Sequence, residues 1–201
     1  MTKKDRSEGT NYLSDSIEGL SDEELAKMAL VKQSFFGQII KRYERKLISY
    51  IKKISNVSHE DAEDILQDVF IKVYKNLNDF DDSLKFSSWI YRICRNEVIS
   101  NWRKRRARPQ NSPEELDENF IKGITSDLDI EREIDRKYLK RNIYKILDKL
   151  DIRHKDILIL KFFEECDYKE ISDIMKMPMG TVASLMNRAK KEFRKKIKKI
   201  I

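Results

Sequence analysis

The segment DYKEISDIMKMPMGTVASLMNRAKKEFRKKI, Asp167 to Ile197, carries the pattern most informative about the architecture of this chain. Ile171 and Ile174 give a short first helix one apolar side, and Pro178 and Gly180 stand where the chain must turn. A second helix follows, with apolar residues at steps of three and four: Val182, Met186, Ala189, Phe193 and Ile197. A short helix, a tight turn and a longer amphipathic helix predict a helix-turn-helix, whose second helix can enter the major groove of DNA.

The side of this second helix that faces away from the apolar stripe is polar and cationic. Such residues suit base edges and phosphates. The residues left facing out are Thr181, Ser184, Asn187, Arg188, Lys190 and Lys191, and all of these except Lys190 are the candidates for contact with duplex DNA. A helical hairpin with a basic, solvated face is the alternative that the pattern leaves open.

A second basic segment, FSSWIYRICRNEVISNWRKRRAR, runs from Phe86 to Arg108 and mixes aromatic with cationic residues. Single-stranded nucleic acid favours this mixture, because bases stack on rings while cations follow the phosphates. The residues expected on the outer face are Tyr91, Arg92, Arg95, Asn96, Trp102, Arg103, Arg105 and Arg106. The alternative is a basic helix C-terminus that complements the helix dipole, with its aromatics in the core. We place Trp89 in the core. The periodicity does not decide whether Trp102 packs in the core or lies on the outer face.

The segment before it predicts helices with one acidic face. Asp22–Ile54 has helical periodicity, with Ser21 and Glu24 as a capping box and Gly37 as the expected break. Ser58 caps the next helix, whose acidic and amide side chains lie opposite an apolar stripe; they include Asp61, Asp64, Gln67 and Asp68. The stretch 78–86, rich in Asp and Asn, is expected to be a loop, and Ser87 or Ser88 to cap the basic helix.

Charge along the 201-residue chain is divided into blocks, although its net value is only +7. Residues 84–108 hold 8 basic and 1 acidic side chain, and residues 109–135 hold 2 basic and 9 acidic. Residues 186–201 hold 8 basic and 1 acidic side chain. Two basic blocks separated by an acidic one are typical of two polyanion-binding surfaces joined by a segment of opposite sign. Charge alone does not distinguish this interpretation from solvated helix faces and a tail.

These patterns predict an all-α fold of two small helical domains joined by a flexible acidic linker. The expected divisions are a disordered N-terminal extension over 1–20, a first helical domain over 21–108, an acidic linker over 109–130 and a helix-turn-helix domain over 131–201. Five glycines and three prolines argue against turn-rich β architectures.

Other classes of protein lack their sequence signatures here. There is no apolar run long enough for a membrane span and no secretory h-region, so a cytoplasmic location without membrane insertion is expected. Cys94 and Cys166 are far apart and lack metal-ligand spacing, which favours reduced thiols and no metal site. His59 and His154 are interpreted as surface residues. Without a P-loop, an HExxH motif or a His–carboxylate signature, neither an enzyme nor a cofactor is expected.

Three segments in series resemble the sigma-70 family of bacterial RNA polymerase sigma factors, specifically the small extracytoplasmic-function (ECF) type. They are DAEDILQDVFIKVYKNL from Asp61, FSSWIYRICRNEVISNWRKRR from Phe86 and YKEISDIMKMPMGTVASLMNRAKKEFRKKI from Tyr168. The resemblance implies a region 2 helical bundle and a region 4 helix-turn-helix. It also implies a protein that binds the polymerase core enzyme, directs it to −10 and −35 promoter elements and promotes melting.

The resemblance assigns roles to matching positions. The acidic helix, through Asp61, Asp64, Gln67 and Asp68, would dock on the β′ clamp of the polymerase. The residues implied at the −10 element are Asn78, Asp79, Phe80, Lys85, Phe86, Arg92, Arg95, Asn96, Trp102 and Arg103. The helix from Gly180 would contact the −35 element, and the acidic linker would run through polymerase toward the RNA exit path. The β subunit of the polymerase and an anti-sigma factor are further implied partners.

One departure from the family pattern concerns Ala183 and Leu185, where many relatives carry cations. Two cations expected on the DNA-facing side are therefore missing, which leaves the preferred upstream sequence open. A stand-alone helix-turn-helix regulator is the alternative function. It would account for Tyr168–Ile200 but would leave the aromatic-basic helix and its acidic neighbour without roles.

Overall fold

The structure is a computed structural model that describes residues 19–105 and 136–198. These ranges contain α-helices and short 3₁₀ turns without a β-strand, which agrees with the all-α prediction. The eight helices are α1 (Asp22–Val31), α2 (Phe36–Ser55), α3 (His59–Lys75), α4 (Phe86–Arg105), α5 (Arg136–Leu147), α6 (Ile152–Phe162), α7 (Tyr168–Met175) and α8 (Met179–Lys198). The predicted N-terminal extension and acidic linker lie almost wholly outside the described residues.

The capping box at the start of α1 is confirmed. Ser21 Oγ accepts from the Glu24 N–H at 3.1 Å, and Glu24 returns the bond to the Ser21 N–H at 2.7 Å. The expected break at Gly37 is wrong by five residues: the chain turns extended at Lys32 and a 3₁₀ turn follows over Gln33–Phe35. Gly37 lies inside α2 and does not have a positive φ, so the conformational freedom of glycine does not set the boundary.

The helices α1 to α4 form an N-terminal bundle, in which α2, α3 and α4 pack on one another and α1 covers α2 and α4. The predicted apolar stripes of α2 and α3 supply its core, with Leu47 and Val69 fully buried. Four rings join the bundle to the 78–86 loop: Tyr43, Phe80, Phe86 and Trp89, with centroid separations of 5.2 to 5.8 Å. Trp89 is 5% exposed, so its assignment to the core is confirmed.

The start of α4 is held from another helix. The Phe86 N–H donates to Glu23 Oε1 at 2.8 Å, which places a carboxylate of α1 at the positive end of α4. The prediction that Ser87 or Ser88 caps this helix is wrong, since both lie within its first turn. The Glu23 carboxylate, distant in sequence, takes the place of a local cap. A pattern of neighbouring residues does not reveal such a contact.

The helices α5 to α8 form the C-terminal domain, and the predicted helix-turn-helix is α7, the turn and α8. Asp167 and Glu170 form a second capping box at the start of α7. Lys176 ends that helix in the left-handed region, at φ 50°, and Pro178 then accepts from the first N–H groups of α8. The apolar stripe predicted for α8 is buried in full.

The two halves of the chain pack against each other. The helix α2 contacts α6, and α4 contacts α7. We call this boundary the seam. It is formed by the outer side of the N-terminal bundle and by the two helices that precede α8.

Candidate polymerase-binding and DNA-binding surfaces

The acidic side of α3 is a solvent-facing surface. Asp64, Gln67 and Asp68 are exposed, and Asp61 is half-buried near the Ser58 cap, where its N–H donates to Ser58 Oγ at 3.1 Å. The opposite side of the helix packs into the bundle through Ile65, Val69 and other apolar residues. The four residues predicted to bind a partner therefore share one helix, and three of them project from its exposed side.

A groove with an apolar floor runs beside this acidic surface, between α2 and α3. Its volume is about 740 Å³. The lining combines apolar side chains with polar ones at the rim: Ile40, Glu44, Arg45, Ile48, His59, Glu63, Leu66, Gln67, Phe70 and Ile71. Ile71 is 51% exposed. A groove of this size with an acidic margin offers a partner helix both apolar contact and charge complementarity.

Most of the residues predicted to contact the −10 element are accessible. Asn78, Asp79, Lys85, Asn96 and Arg103 are exposed. Phe80, Arg92 and Trp102 are half-buried, which leaves part of each side chain at the surface. The set spans the loop before α4 and most of the length of that helix.

Phe86 is the member of this set that the structure removes from the surface. Its ring is fully buried between Tyr43, Phe80 and Trp89. The prediction that Phe86 contacts a base is therefore not met in this conformation, because its side chain supports the rings around it. Tyr91, predicted on the outer face of α4, is also buried, at the seam.

A cleft of about 780 Å³ opens where the C-terminal part of α4 approaches the C-terminal domain. It is lined by cationic, aromatic and polar side chains: Arg95, Asn96, Ile99, Ser100, Trp102, Arg103, Asp151, Ile152, Arg153 and Met177. Four of the predicted −10 residues thus face a space shared with the other domain. The sequence pattern placed these residues on one helix face but did not indicate that α6 and the α7–α8 turn would border them.

The predicted duplex-binding side of α8 is open. Thr181, Ser184, Asn187, Arg188 and Lys191 are all exposed along one side of the helix. Ser184 and Arg188 hydrogen-bond backward to carbonyls four residues earlier, at 2.9 and 3.4 Å, which leaves them on the surface. All five candidates therefore form a continuous polar strip.

Leu185 does not belong to that strip. It is 6% exposed and Ala183 is half-buried, on the side of α8 that turns toward α6 and α7. The expectation that both positions lie on the DNA-facing side is wrong for Leu185. An apolar residue there contributes to packing, so its identity does not remove a DNA contact from the exposed strip.

Buried polar contacts cross the seam, and sequence reasoning missed them. Asp156 of α6 is fully buried and accepts from Tyr50 Oη at 2.8 Å and from Arg95 Nε at 2.6 Å. Burial raises the pKa of the Asp156 carboxyl, while the Arg95 guanidinium acts in the opposite direction. The available signal was Asp156 itself, a carboxylate directly before the apolar run ILIL.

Both cysteines are free and buried, as expected for reduced thiols. Burial raises the pKa of the Cys94 thiol well above its ordinary value and that of the Cys166 thiol to about 12. Among the described residues, no group of three or more His, Cys, Asp or Glu side chains is arranged to hold a metal ion. Nor does any helix within residues 19–105 and 136–198 have the length and apolarity of a membrane span.

The fold and these surfaces define an all-helical, two-domain protein with a helix-turn-helix, a second basic helix and an exposed acidic helix face. Comparison with known families agrees. The family model for Sigma-70 region 2 matches residues 39–108, and that for Sigma-70 region 4 matches residues 140–193.

Curated relatives cover most of the chain. The ECF RNA polymerase sigma factor SigW of Bacillus subtilis is 30% identical over 173 residues, which are 83% of this chain and 90% of the relative. The ECF RNA polymerase sigma-E factor of Haemophilus influenzae is 29% identical over 189 residues, which are 89% of this chain and 99% of the relative. The chain therefore belongs to the sigma-70 family of RNA polymerase sigma factors, in its ECF group, as the motifs indicated.

Solved structures share the fold. CnrH, solved in complex with the cytosolic domain of CnrY, superposes with a TM-score of 0.65 at 21% identity, covering 88% of this chain and 97% of CnrH. RpoE of Bartonella quintana, solved in complex with the anti-sigma factor NepR, gives 0.60 at 22% identity, covering 81% of this chain and 96% of RpoE. Sigma factors are transcription initiation factors and are not a class of enzyme.

Proposed function

We propose that this chain binds the RNA polymerase core enzyme through α3, recognises −35 promoter DNA through α8, and holds the melted −10 strand through α4 and the loop before it. The observation that carries the proposal is the presence, on one chain, of an exposed acidic side on α3, an exposed cationic strip on α8 and a partly exposed cationic side on α4. A stand-alone regulator would need only the helix-turn-helix.

The acidic face suits a protein partner with cationic side chains. Within the described residues, Asp64, Gln67 and Asp68 have no ion-pair partner, so their charges and amide are available for a complementary surface. The groove beside them would accept apolar side chains from the same partner. Complementary charge favours association and fixes register, while the apolar floor contributes affinity.

The α4 surface suits a single strand. Phe80 and Trp102 present parts of their rings, and Lys85, Arg92 and Arg103 supply cations along the same side of the bundle. Flipping a base out of the duplex costs a few kcal/mol of stacking, which ring contacts and phosphate contacts can offset. The α8 strip, in contrast, suits the edges of paired bases and the phosphates beside them.

Charge reversal on α3 tests the polymerase assignment. The double change Asp64→Lys with Asp68→Lys is expected to lower affinity for purified core enzyme by at least tenfold, measured by fluorescence anisotropy of labelled chain. The matched control is Glu165→Lys with Asp173→Lys, which makes the same change of net charge in the C-terminal domain. Equal loss in both double variants, or in neither, would reject α3 as the docking face.

Removal of one cation and one amide side chain from α4 tests the strand-holding assignment. Arg92→Ala with Asn96→Ala is expected to reduce open-complex formation on a cognate promoter by at least tenfold, scored by permanganate reactivity of unpaired thymines. Core binding and −35 duplex binding should stay within twofold of the original chain. A promoter library transcribed with core enzyme supplies the cognate sequence, and failure to initiate at any promoter would overturn the proposed function.

An anti-sigma factor is proposed as a further partner, since the sigma factor RpoE, which shares this fold, was solved in complex with the anti-sigma factor NepR. Such a partner would have to cover α3, α4 or both in order to block the surfaces described above. Co-purification from cells, followed by competition with core enzyme, tests this point.

A further inference from the structure

The seam between the two halves is held by carboxylates of one half and by cations and phenols of the other. Asp156 accepts from Arg95 and Tyr50, and its side chain is fully buried. The Arg95 side chain is only 11% exposed. A carboxylate that accepts two hydrogen bonds and faces a guanidinium is compensated only while the two halves touch.

A second carboxylate, that of Glu164, makes the same kind of contact just after the end of α6. Glu164 accepts from Tyr91 Oη at 2.5 Å and lies 3.5 Å from Lys53 Nζ, and the side chains of Lys53 and Glu164 are 9% and 8% exposed. The Lys53 ammonium also lies 4.4 Å from the centroid of the Phe163 ring. Both carboxylates come from the C-terminal domain, and all four donors come from the N-terminal bundle.

An exposed ion pair lies at the edge of the same seam. Lys85 Nζ is 2.8 Å from Glu170 Oε1, with the Lys85 side chain largely exposed. Lys85 precedes α4 and Glu170 belongs to the first turn of α7. Exposed pairs of this kind contribute little to stability, but this one reports whether the halves are together.

We propose that Asp156 and Glu164 form a latch that keeps the free chain closed, and that Asp156 thereby withholds Arg95 from DNA. The first part concerns the free chain alone. The second part rests on the proposed function, because it assigns Arg95 to the melted strand.

Because its charges are buried, the latch can open as well as close. A buried pair gains mutual attraction but loses the hydration of both charges, so the net preference for closure is modest. Removing one partner alone leaves the other charge buried and uncompensated, which strongly disfavours closure. Opening lets Arg95 and Lys53 regain water or meet phosphates. A partner that binds the open chain therefore shifts the population toward it by its differential affinity.

The latch and the DNA compete for the same group. The Arg95 Nε is already bonded to Asp156 at 2.6 Å, and the guanidinium lies at the inner wall of the cleft shared by α4 and the C-terminal domain. A strand phosphate cannot replace Asp156 there while α6 remains against α2. Arg92 and Asn96, on the same helix, have no such contact to the other half among the described residues.

Carbodiimide cross-linking of the full-length free chain measures closure. The reagent activates a carboxyl group, an amine in contact displaces the resulting urea, and an amide bond remains. In the closed chain it should join Lys85 to Glu170 across the seam. It should also join Lys27 to Asp82, 2.5 Å apart and both within the N-terminal half, which serves as an internal reference. Mass spectrometry of the digested chain gives the ratio of the two products.

The variant Asp156→Asn is expected to lower that ratio at least fivefold. The control Asp148→Asn removes an ion pair to buried Lys155 that lies wholly in the C-terminal domain, and it should leave the ratio within twofold of the original chain. A second variant, Tyr50→Phe with Arg95→Met and Asp156→Leu, replaces the polar set by apolar groups and should restore at least half the ratio. Circular dichroism checks helix content in each.

The outcomes separate the two parts of the proposal. An unchanged ratio in Asp156→Asn, equal loss in Asp148→Asn, or no recovery in the apolar variant overturns the latch. Binding of a fluorescent 12-nucleotide single-stranded DNA of mixed sequence should tighten at least threefold in Asp156→Asn. A lowered ratio with unchanged strand affinity would support the latch and overturn the claim that Arg95 is withheld from DNA.

Discussion

The two basic helices of this protein differ in what covers them. The exposed strip of α8 contains all five residues predicted for duplex contact, whereas α4 has one predicted residue in its own core and another bonded across the seam. Both helices are 20 residues long and both are cationic. Their difference lies in tertiary placement: α8 packs by one side only, and α4 packs against helices of both halves.

This difference shows that a charge pattern can indicate a candidate nucleic-acid surface. It does not show whether another part of the folded chain covers that surface. In the closed chain, the proposed duplex contact by α8 requires no rearrangement. The proposed strand contact by α4 requires the halves to part, if Arg95 is to take part. The free chain should therefore behave as a weak duplex binder and a poorer strand binder, and each prediction below changes one side of this contrast.

The largest expected effect is the loss of α8 packing. Phe193 is fully buried, so Phe193→Ala should lower the free energy of unfolding of the C-terminal domain by about 3–5 kcal/mol. Thermal unfolding followed by circular dichroism should then show two separate transitions, since the main contacts of α8 are with α5, α6 and α7. Lys195→Ala, an exposed position on the same helix, is the control and should change little. A single, cooperative loss of both halves would contradict the separate unfolding of the C-terminal domain.

The next effect concerns the two thiols, one in α4 and one just before α7. Folding raises the pKa of Cys166 from 9.0 to about 12, so its thiolate fraction at pH 8 should fall about a thousandfold. Disulfide-exchange labelling should be correspondingly slow in the folded chain and rapid in urea. Because the raised pKa favours the folded state below pH 9, this contribution to stability is lost as the pH rises from 9 toward 12. Rapid labelling of the folded chain at pH 8 would contradict the buried placement.

Substitutions on α8 should separate the two DNA surfaces. Arg188→Ala with Lys191→Ala should weaken duplex binding by about 1–3 kcal/mol and reduce the slope of affinity against salt by about two, through two lost phosphate contacts. Affinity for single-stranded DNA should change less than twofold. Measuring the duplex and single-strand affinities at several salt concentrations tests whether α8 contacts duplex DNA alone. Equal losses on the two substrates would argue against this assignment.

The smallest expected effect concerns the anchor at the start of α4. Glu23→Ala removes the acceptor of the Phe86 N–H and should destabilise the N-terminal bundle by about 1 kcal/mol, as loss of a helix cap does. Glu23→Gln keeps an acceptor oxygen and should recover most of the difference. Denaturant unfolding of both variants checks this. If the two variants lose the same stability, the hydrogen bond is not the cause.

Local patterns predicted the elements well where neighbours in sequence are also neighbours in space. The stripe of α8, the capping box at Ser21 and the cap at Ser58 each involve residues three or four apart, and each is confirmed. Contacts between residues distant in sequence could not be predicted from these patterns. The Glu23 anchor of α4 joins residues 63 positions apart, and the Tyr50–Asp156 bond joins residues 106 positions apart.

Burial decided the remaining differences at the site. Phe86 and Leu185 each lie at a position that motif or periodicity placed on a binding face, and each is packed inside. An apolar residue near a binding face can either pack in the core or contact the bound partner, and one sequence does not distinguish the two. The exposed residues Asn96 and Arg188 were assigned correctly to the surface because a polar side chain is rarely buried without a partner.

The ring cluster around Phe80 has a consequence for the energetics of opening DNA. Phe80 is half-buried and its ring already lies 5.2 Å from Phe86 and 5.4 Å from Trp89, so the loop is immobilised by contacts made during folding. A base that stacked on the free side of Phe80 would meet a ring already held edge-on by Phe86 and at a tilt by Trp89. The entropy of ordering that loop is then lost when the chain folds, and it does not add to the cost of the proposed contact with a −10 strand.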